Sequence, residues 1–228
     1  MSLYSDPVIR RATSCNDFDI RLLRTQKMSI YIHIPPYDKD RLSPLLTLFW
    51  AQIIQQMTLH EPGQDEKIRV LALLDEFGNM SRISKLKEGM SFLRSYNIRM
   101  VVIVQYLSQI TSIYGRDDAR GFLNTKVKIA FTLNDAEDAK FFSEALGKKA
   151  VRVRSSGFNS GHTSQGASRT SNHTYQSKPL MTADQIMQMK PTDVIALIEG
   201  AYPIRFKKAM YFNDKHSLSL IKKGSKTC

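Results

Sequence analysis

The sequence predicts an α/β fold in which helices flank a mostly parallel central sheet, and three observations carry that prediction. Two short runs, Val70-Leu-Ala-Leu-Leu74 and Met100-Val-Val-Ile-Val104, are apolar without a break, the pattern of strands buried on both faces. Longer amphipathic stretches alternate with such runs; Leu42, Leu45, Leu46, Phe49, Ile53 and Met57 share one helical face. Capping signals punctuate the alternation: Asn134 pairs with Glu137 ahead of a helix that stops at Gly147, and Thr182 with Gln185 ahead of another. Strand and helix taking turns in this way is the pattern of layered α/β proteins.

Taken in order, residues 28–36 are β-rich and end on a proline pair, which predicts a strand running into a loop. The helix through 42–57 follows, then the strand 70–74. A helix over about 81–97 leads to the strand 100–104, and a helical connection over 107–124 to a strand over 127–133. The helix 135–146 comes next. Residues 155–177, rich in Ser, Gly, Thr and Asn, bury little and predict a flexible surface loop or hairpin tip. Pro191 ends the short helix after Thr182. The apolar segments 194–198 and 204–211 are expected to form a terminal β-hairpin, and residues 215–228 a flexible basic tail with Lys215, Lys222, Lys223 and Lys226.

Among 228 residues, 42% are hydrophobic, enough for a substantial core. No apolar run reaches the ~20 residues of a membrane-spanning helix, and the first residues lack the charged and apolar blocks of a signal peptide. Cys15 and Cys228 have neither metal-ligand nor redox spacing, as expected in a reducing cytosol. Lys and Arg outnumber Asp and Glu by 33 to 21, a net charge of +12. Such a balance suits an anionic partner (nucleic acid, nucleotide or acidic lipid), although a solvated basic surface gives the same count.

The residues richest in chemistry are Asp75 and Glu76, which end the first apolar run. An apolar strand delivering two carboxylates to the C-terminal edge of a parallel sheet is the Walker B arrangement of P-loop NTPases. Asp75 can then hold Mg²⁺ directly or through its waters, because that ion keeps most of its hydration shell. Glu76 orients or deprotonates the attacking water. The pair alone is equally well a helix cap at a strand end. Gln105 holds the matching position after the next strand, where an amide can sense a γ-phosphate or simply be solvated. Arg94 and Arg99 precede that strand; an arginine there either reaches a neighbouring subunit's nucleotide or lies in solvent. No G-x-x-x-x-G-K-[ST] phosphate loop occurs in the sequence. The expectation is that residues 1–228 are the C-terminal, Walker B-bearing part of a larger motor domain and hydrolyse nothing alone.

The stretches Leu73-Leu-Asp-Glu-Phe-Gly-Asn-Met80 and Arg94-Ser-Tyr-Asn-Ile-Arg-Met-Val-Val-Ile-Val-Gln105 resemble the VirD4/TraG family of type IV secretion coupling proteins. Asp6-Pro-Val, Ala12-Thr-Ser, Asp17-Phe, Pro35-Pro36, Arg41-Leu-Ser-Pro-Leu-Leu46 and Pro179-Leu-Met-Thr extend the likeness along nearly the whole chain. That resemblance implies a RecA-like ATPase domain, working with ATP and Mg²⁺ in a homohexamer on the cytoplasmic face of the bacterial inner membrane. It implies cargo as well: single-stranded DNA with its relaxase, or a secreted protein, passed to the type IV secretion channel. By the same resemblance Asp75 and Glu76 are the Walker B pair, Gln105 follows the next strand, and Arg94 acts in trans. The family's membrane segments and Walker A lysine have no counterpart here, so this part is expected to be soluble. Two other readings remain: a non-catalytic basic module that docks cargo or nucleic acid, and another RecA-like DNA translocase of the FtsK kind.

Overall fold

Asp6 accepts the Val8 N–H at 2.8 Å and so caps helix α1 (Pro7–Ala12). The computed structural model describes residues 5–158 and 169–224. The chain divides into two compact units, Met1–Thr125 and Lys126–Cys228.

In the first unit, the apolar stripe read from the sequence becomes helix α2 (Lys39–Met57). Strand β1 (Val70–Leu74), helix α3 (Ser84–Gly89), strand β2 (Ile98–Val102) and helices α4 (Leu107–Tyr114) and α5 (Arg116–Leu123) follow. Strands β1 and β2 pair in parallel, Val70 opposite Ile98 and Leu74 opposite Val102. Leu74, Phe77, Ile83, Leu86, Leu93, Ile98, Ile54 and Met57 form the core beneath them. Gly115, at φ 79°, breaks the connection after β2 into two helices, a conformation glycine reaches without strain.

Three expectations for this unit need correction. Residues 28–35 take no regular structure, and Tyr31 is 92% exposed. A strand requires a neighbour's N–H and C=O groups, and no described residue supplies a ladder here. The helix foreseen over 81–97 shrinks to α3. After Gly89 the chain tightens into turns, Asn97 adopts φ 57°, and the Ile98 N–H returns to the Leu93 carbonyl at 3.0 Å. Strand β1 is covered on one face only. Ala72 and Leu74 are buried, whereas Leu71 and Leu73 are 61% and 57% exposed.

A buried arginine, unforeseen in the sequence, ties this unit together. Arg24 is 2% exposed. Its guanidinium donates to the carbonyls of Met57, of His60 at 3.3 Å and of Tyr96 at 3.2 Å, and it pairs with Glu66 at 3.3 Å. One planar group thereby satisfies the end of α2 and the turn before β2.

The second unit holds strand β3 (Val127–Ala130), helix α6 (Ala136–Leu146), strands β4 (Lys148–Phe158) and β5 (Arg169–Pro179), and helix α7 (Ala183–Met187). Strands β6 (Asp193–Ile198) and β7 (Ile204–Lys207) and helix α8 (Lys215–Gly224) complete it. The expected terminal hairpin is present as β6–β7, ending at Lys207. Strand β3 stops at Ala130 and pairs antiparallel with β6, so parallel pairing among the described residues is confined to β1 and β2. Asp193, 5% exposed on its side chain, sits between Arg205 at 2.5 Å and Lys207. Hydrogen bonds from Lys207 and Arg205 hold its pKa down at about 2.

Capping in this unit is partly as foreseen. Thr182 and Gln185 exchange side-chain and backbone bonds at the start of α7, and Gly147 ends α6 at φ 82°. The N-cap of α6 is Asp135, which accepts from the Asp138 N–H at 2.9 Å, rather than Asn134. Strands β4 and β5 pair from Lys148 opposite Pro179 to Phe158 opposite Arg169, and so take in much of the segment 155–177 expected as a flexible surface loop or hairpin tip. The rest of it, 159–168, lies outside the described residues. The expected tail is helix α8 as far as Gly224, begun where Asp214 accepts from the Ser217 N–H at 2.8 Å. Its residues 225–228 likewise lie outside the described residues.

Candidate functional site

The parallel register brings the ends of β1 and β2 to one edge, and the backbone continues the pairing past both strands. The Ile103 N–H donates to the Leu74 carbonyl, and the Phe77 N–H donates to the Ile103 carbonyl, both at 2.9 Å. Asp75 and Glu76 therefore leave the sheet beside the residues that lead to Gln105. Both carboxylates are exposed, while Phe77 between them and the next turn is fully buried. Its ring stacks on Tyr114 at 5.8 Å and lies 5.2 Å from Phe122. Burying a phenylalanine anchors the turn, because removing such a ring costs about 3–5 kcal/mol.

Glu76 has φ 52° and ψ 37°, a left-handed conformation uncommon outside glycine. Strain of this kind persists where neighbouring structure imposes it, and it concentrates at working sites. Three polar side chains surround the turn. The Asn79 amide donates to Glu76 Oε2 at 2.8 Å, and the Gln105 amide approaches the same carboxylate at 3.3–3.4 Å. Asp75 Oδ1 accepts from the Glu76 N–H at 3.0 Å.

Gln105 is placed by Gln109, whose Oε1 accepts from the backbone N–H groups of Gln105 at 3.0 Å and Tyr106 at 3.3 Å. Gly78 permits this arrangement. A Cβ there would lie 2.3 Å from Gln109 Oε1, so any larger residue displaces the side chain that holds Gln105. Thus Asp75, Glu76 and Gln105 come together as expected, and Gly78, Asn79 and Gln109 join them unforeseen. Asn79 and Gln109 each stand a few residues from a partner and are legible only after the turn is known. Gln109 occupies the third position of α4, where an amide reaching back is a recognised cap, but Tyr106 gave no Ser or Thr to announce it.

Arg94 stands apart. It precedes β2, and so lies at the opposite end of the parallel pair from Glu76. Five residues of strand at about 3.3 Å each keep it on the order of 15 Å away. It is exposed, and its guanidinium has no hydrogen-bond or ion-pair partner among the described residues. Arg99, by contrast, uses Nη1 to donate to the Arg94 carbonyl at 3.1 Å.

The donor set suits a hydrated hard cation. Asp75 offers an exposed carboxylate with Oδ1 engaged by one backbone N–H. No group of three or more acidic, His or Cys side chains gathers around a metal position among the described residues. Mg²⁺ is commonly held in this way, by one or two carboxylates together with waters and a nucleotide's phosphates.

Comparison with known proteins places the chain in a family. The family described as type IV secretory system conjugative DNA transfer matches residues 1–227. Protein VirD4 of Agrobacterium fabrum is 30% identical over 220 residues, covering 94% of this chain and 32% of that protein. The conjugal transfer protein TraG of Escherichia coli is 28% identical, covering 94% of this chain and 37% of its own length. The chain thus spans about a third of the length of the curated relatives it matches. Among solved structures, the plasmid coupling protein TrwB in complex with ADP and Mg²⁺ superposes with a TM-score of 0.66 at 15% identity, over 90% of this chain and 46% of that one. That likeness is one of fold: the chain shares the α/β fold of that coupling protein.

Proposed function

We propose a function from an established premise: this chain belongs to the type IV secretory system conjugative DNA transfer family, the VirD4/TraG coupling proteins. In our reading it is the Walker B part of a hexameric coupling ATPase, which recruits a DNA–relaxase complex or protein cargo and feeds it to a secretion channel. The observation that carries this reading is the meeting of Glu76 with Gln105 at the C-terminal edge of the parallel pair, with Asp75 exposed beside them.

Each residue then has a distinct task. Asp75 would hold the hydrated Mg²⁺ of the nucleotide. Glu76, fixed by Asn79 and approached by Gln105, orients the attacking water and accepts its proton. Gln105 couples that carboxylate to the end of β2, and Gln109 keeps Gln105 in place. When bound, Mg²⁺ would neutralise charge on the phosphoryl group passed from ATP to water. No phosphate loop of the G-x-x-x-x-G-K-[ST] pattern occurs among these 228 residues.

Arg94 serves a neighbouring subunit's nucleotide. Its distance from Glu76 in its own chain and its uncommitted guanidinium support that role over a role in cis. Arg99, spent on the Arg94 carbonyl, is the weaker candidate. An arginine supplied across subunits is worth about 10³–10⁵ in rate.

The test uses the full-length protein. Glu76→Gln should retain nucleotide binding while turnover falls by about 10²–10⁴, the usual share of a general base. Asp75→Ala should also weaken Mg²⁺-dependent binding. Turnover left intact by both changes would remove this carboxylate pair from the mechanism.

A further inference from the structure

The hairpin β4–β5 concentrates charge of one sign. Between Glu144 and Asp184 the sequence has six lysines and arginines and no carboxylate, equal to half of the net charge of +12. The strand register sorts them. Lys148, Arg152 and Arg154 lie at alternating positions of β4, hence on one face, about 7 Å or a multiple of it apart. Tyr175 is paired directly with Arg152, so its ring belongs to the same face.

All four side chains are exposed, Tyr175 at 72%. Lys148, Arg152 and Arg154 form no ion pair among the described residues. Val151 and Val153, on the opposite face, are half-buried. That face also carries the exposed Lys149 and Lys178, so cations stand on both sides of the ribbon, and the face of Tyr175 is the one that sets three of them around an unpaired aromatic ring.

We infer that this face is a binding surface for single-stranded nucleic acid, with Lys148, Arg152 and Arg154 on backbone phosphates and Tyr175 stacked on a base. The inference locates the cargo contact of the proposed coupling protein and rests on that reading for its biological setting. Physical chemistry favours this occupant. A line of cations follows a polyanionic backbone, and an exposed ring gains from a base only when that base is free of its own stack. A duplex would engage the cations and leave the tyrosine without a base face. An anionic membrane would engage the cations without regard to the spacing.

The experiment measures binding of the full 228-residue chain, without nucleotide, to a fluorescein-labelled 30-mer of oligothymidylate. A duplex of equal length and vesicles of phosphatidylcholine with phosphatidylglycerol are run in parallel. The 30-mer should bind best. Arg152→Glu with Arg154→Glu should weaken it more than tenfold and flatten its salt dependence by about 1.4 in log–log slope, two phosphates' worth. Should reversal disturb the hairpin, Arg152→Gln with Arg154→Gln reads the same loss without repulsion. Tyr175→Ala should cost about 5- to 100-fold, and Tyr175→Phe little, because the ring does the stacking.

No binding of the 30-mer by the unaltered chain would overturn the inference. Unaltered binding by the charge variants, or a preference for vesicles or duplex, would do the same. These outcomes are separable from failure of the ATPase reading, which is judged on turnover of Glu76→Gln and involves no hairpin residue.

Discussion

The Arg24 clamp and the Glu76 turn lie in one unit and treat charge in opposite ways. Arg24 is buried and its guanidinium is divided among three carbonyls and a carboxylate. Glu76 is exposed, strained at φ 52°, and met only by neutral amides. A buried charge surrounded by backbone acceptors holds chain segments in register and lies out of reach of a ligand. A strained, exposed carboxylate contributes little to the fold and keeps its charge for chemistry. The contrast separates charges that build this protein from those that work in it, and it can be broken experimentally.

The largest expected effect is at the clamp. Arg24→Leu removes the donors of the Met57, His60 and Tyr96 carbonyls and leaves the half-buried Glu66 with only Gly63 and His60 as partners. Breaking a buried pair by deleting one partner costs about 3–5 kcal/mol, so urea denaturation of the chain should show the midpoint falling sharply. A loss below 1 kcal/mol would mean that water replaces the guanidinium, and burial would cease to mark the structural charges.

Asp193 extends the contrast to the second unit. Its pKa, held at about 2 by Lys207 and Arg205, lies below the ordinary 3.8. The stabilisation is therefore complete above about pH 4 and is lost as pH falls through about 2. Denaturant midpoints taken between pH 6 and 2 should drop more steeply for the unaltered chain than for Asp193→Asn. Parallel curves would place the acid sensitivity in other carboxylates.

What could be read from sequence follows the same division between local and distant causes. Strands β1 and β2 announced themselves by apolar runs, and Asp75, Glu76 and Gln105 by position at their ends. Arg24 gave no sign, because its acceptors come from residues 57, 60, 66 and 96, which only folding assembles. Residues 28–36 had strand composition without a partner. The β4–β5 ribbon had loop composition and a partner, since Ser, Thr and Asn suit a solvent-facing strand once pairing fixes the backbone. The unbroken apolar pattern of β1 suggested two covered faces, whereas packing within this chain leaves Leu71 and Leu73 exposed. Gly78 could be seen, but its reason could not, because the Gln109 side chain it admits lies 31 residues further on and arrives through the β2–α4 connection.

The smallest effect is the most discriminating, because its sign is opposite to intuition. Glu76→Gly should raise stability slightly while abolishing turnover in the full-length protein. A left-handed conformation costs a non-glycine residue about 1–2 kcal/mol relative to glycine. The extra chain entropy of glycine when unfolded returns about 0.4–1 kcal/mol of that. The exposed bond from Asn79 is a minor loss, and Phe77, buried at the core, keeps the turn in place without the carboxylate. The net gain should be about 0.5–1 kcal/mol, read from the urea midpoint of the 228-residue chain. A stability loss above 1 kcal/mol would show that the Glu76 carboxylate supports the fold as Arg24 does. A gain with lost turnover means that the strain at Glu76 is retained for chemistry at the expense of stability, which is the distinction the two regions draw.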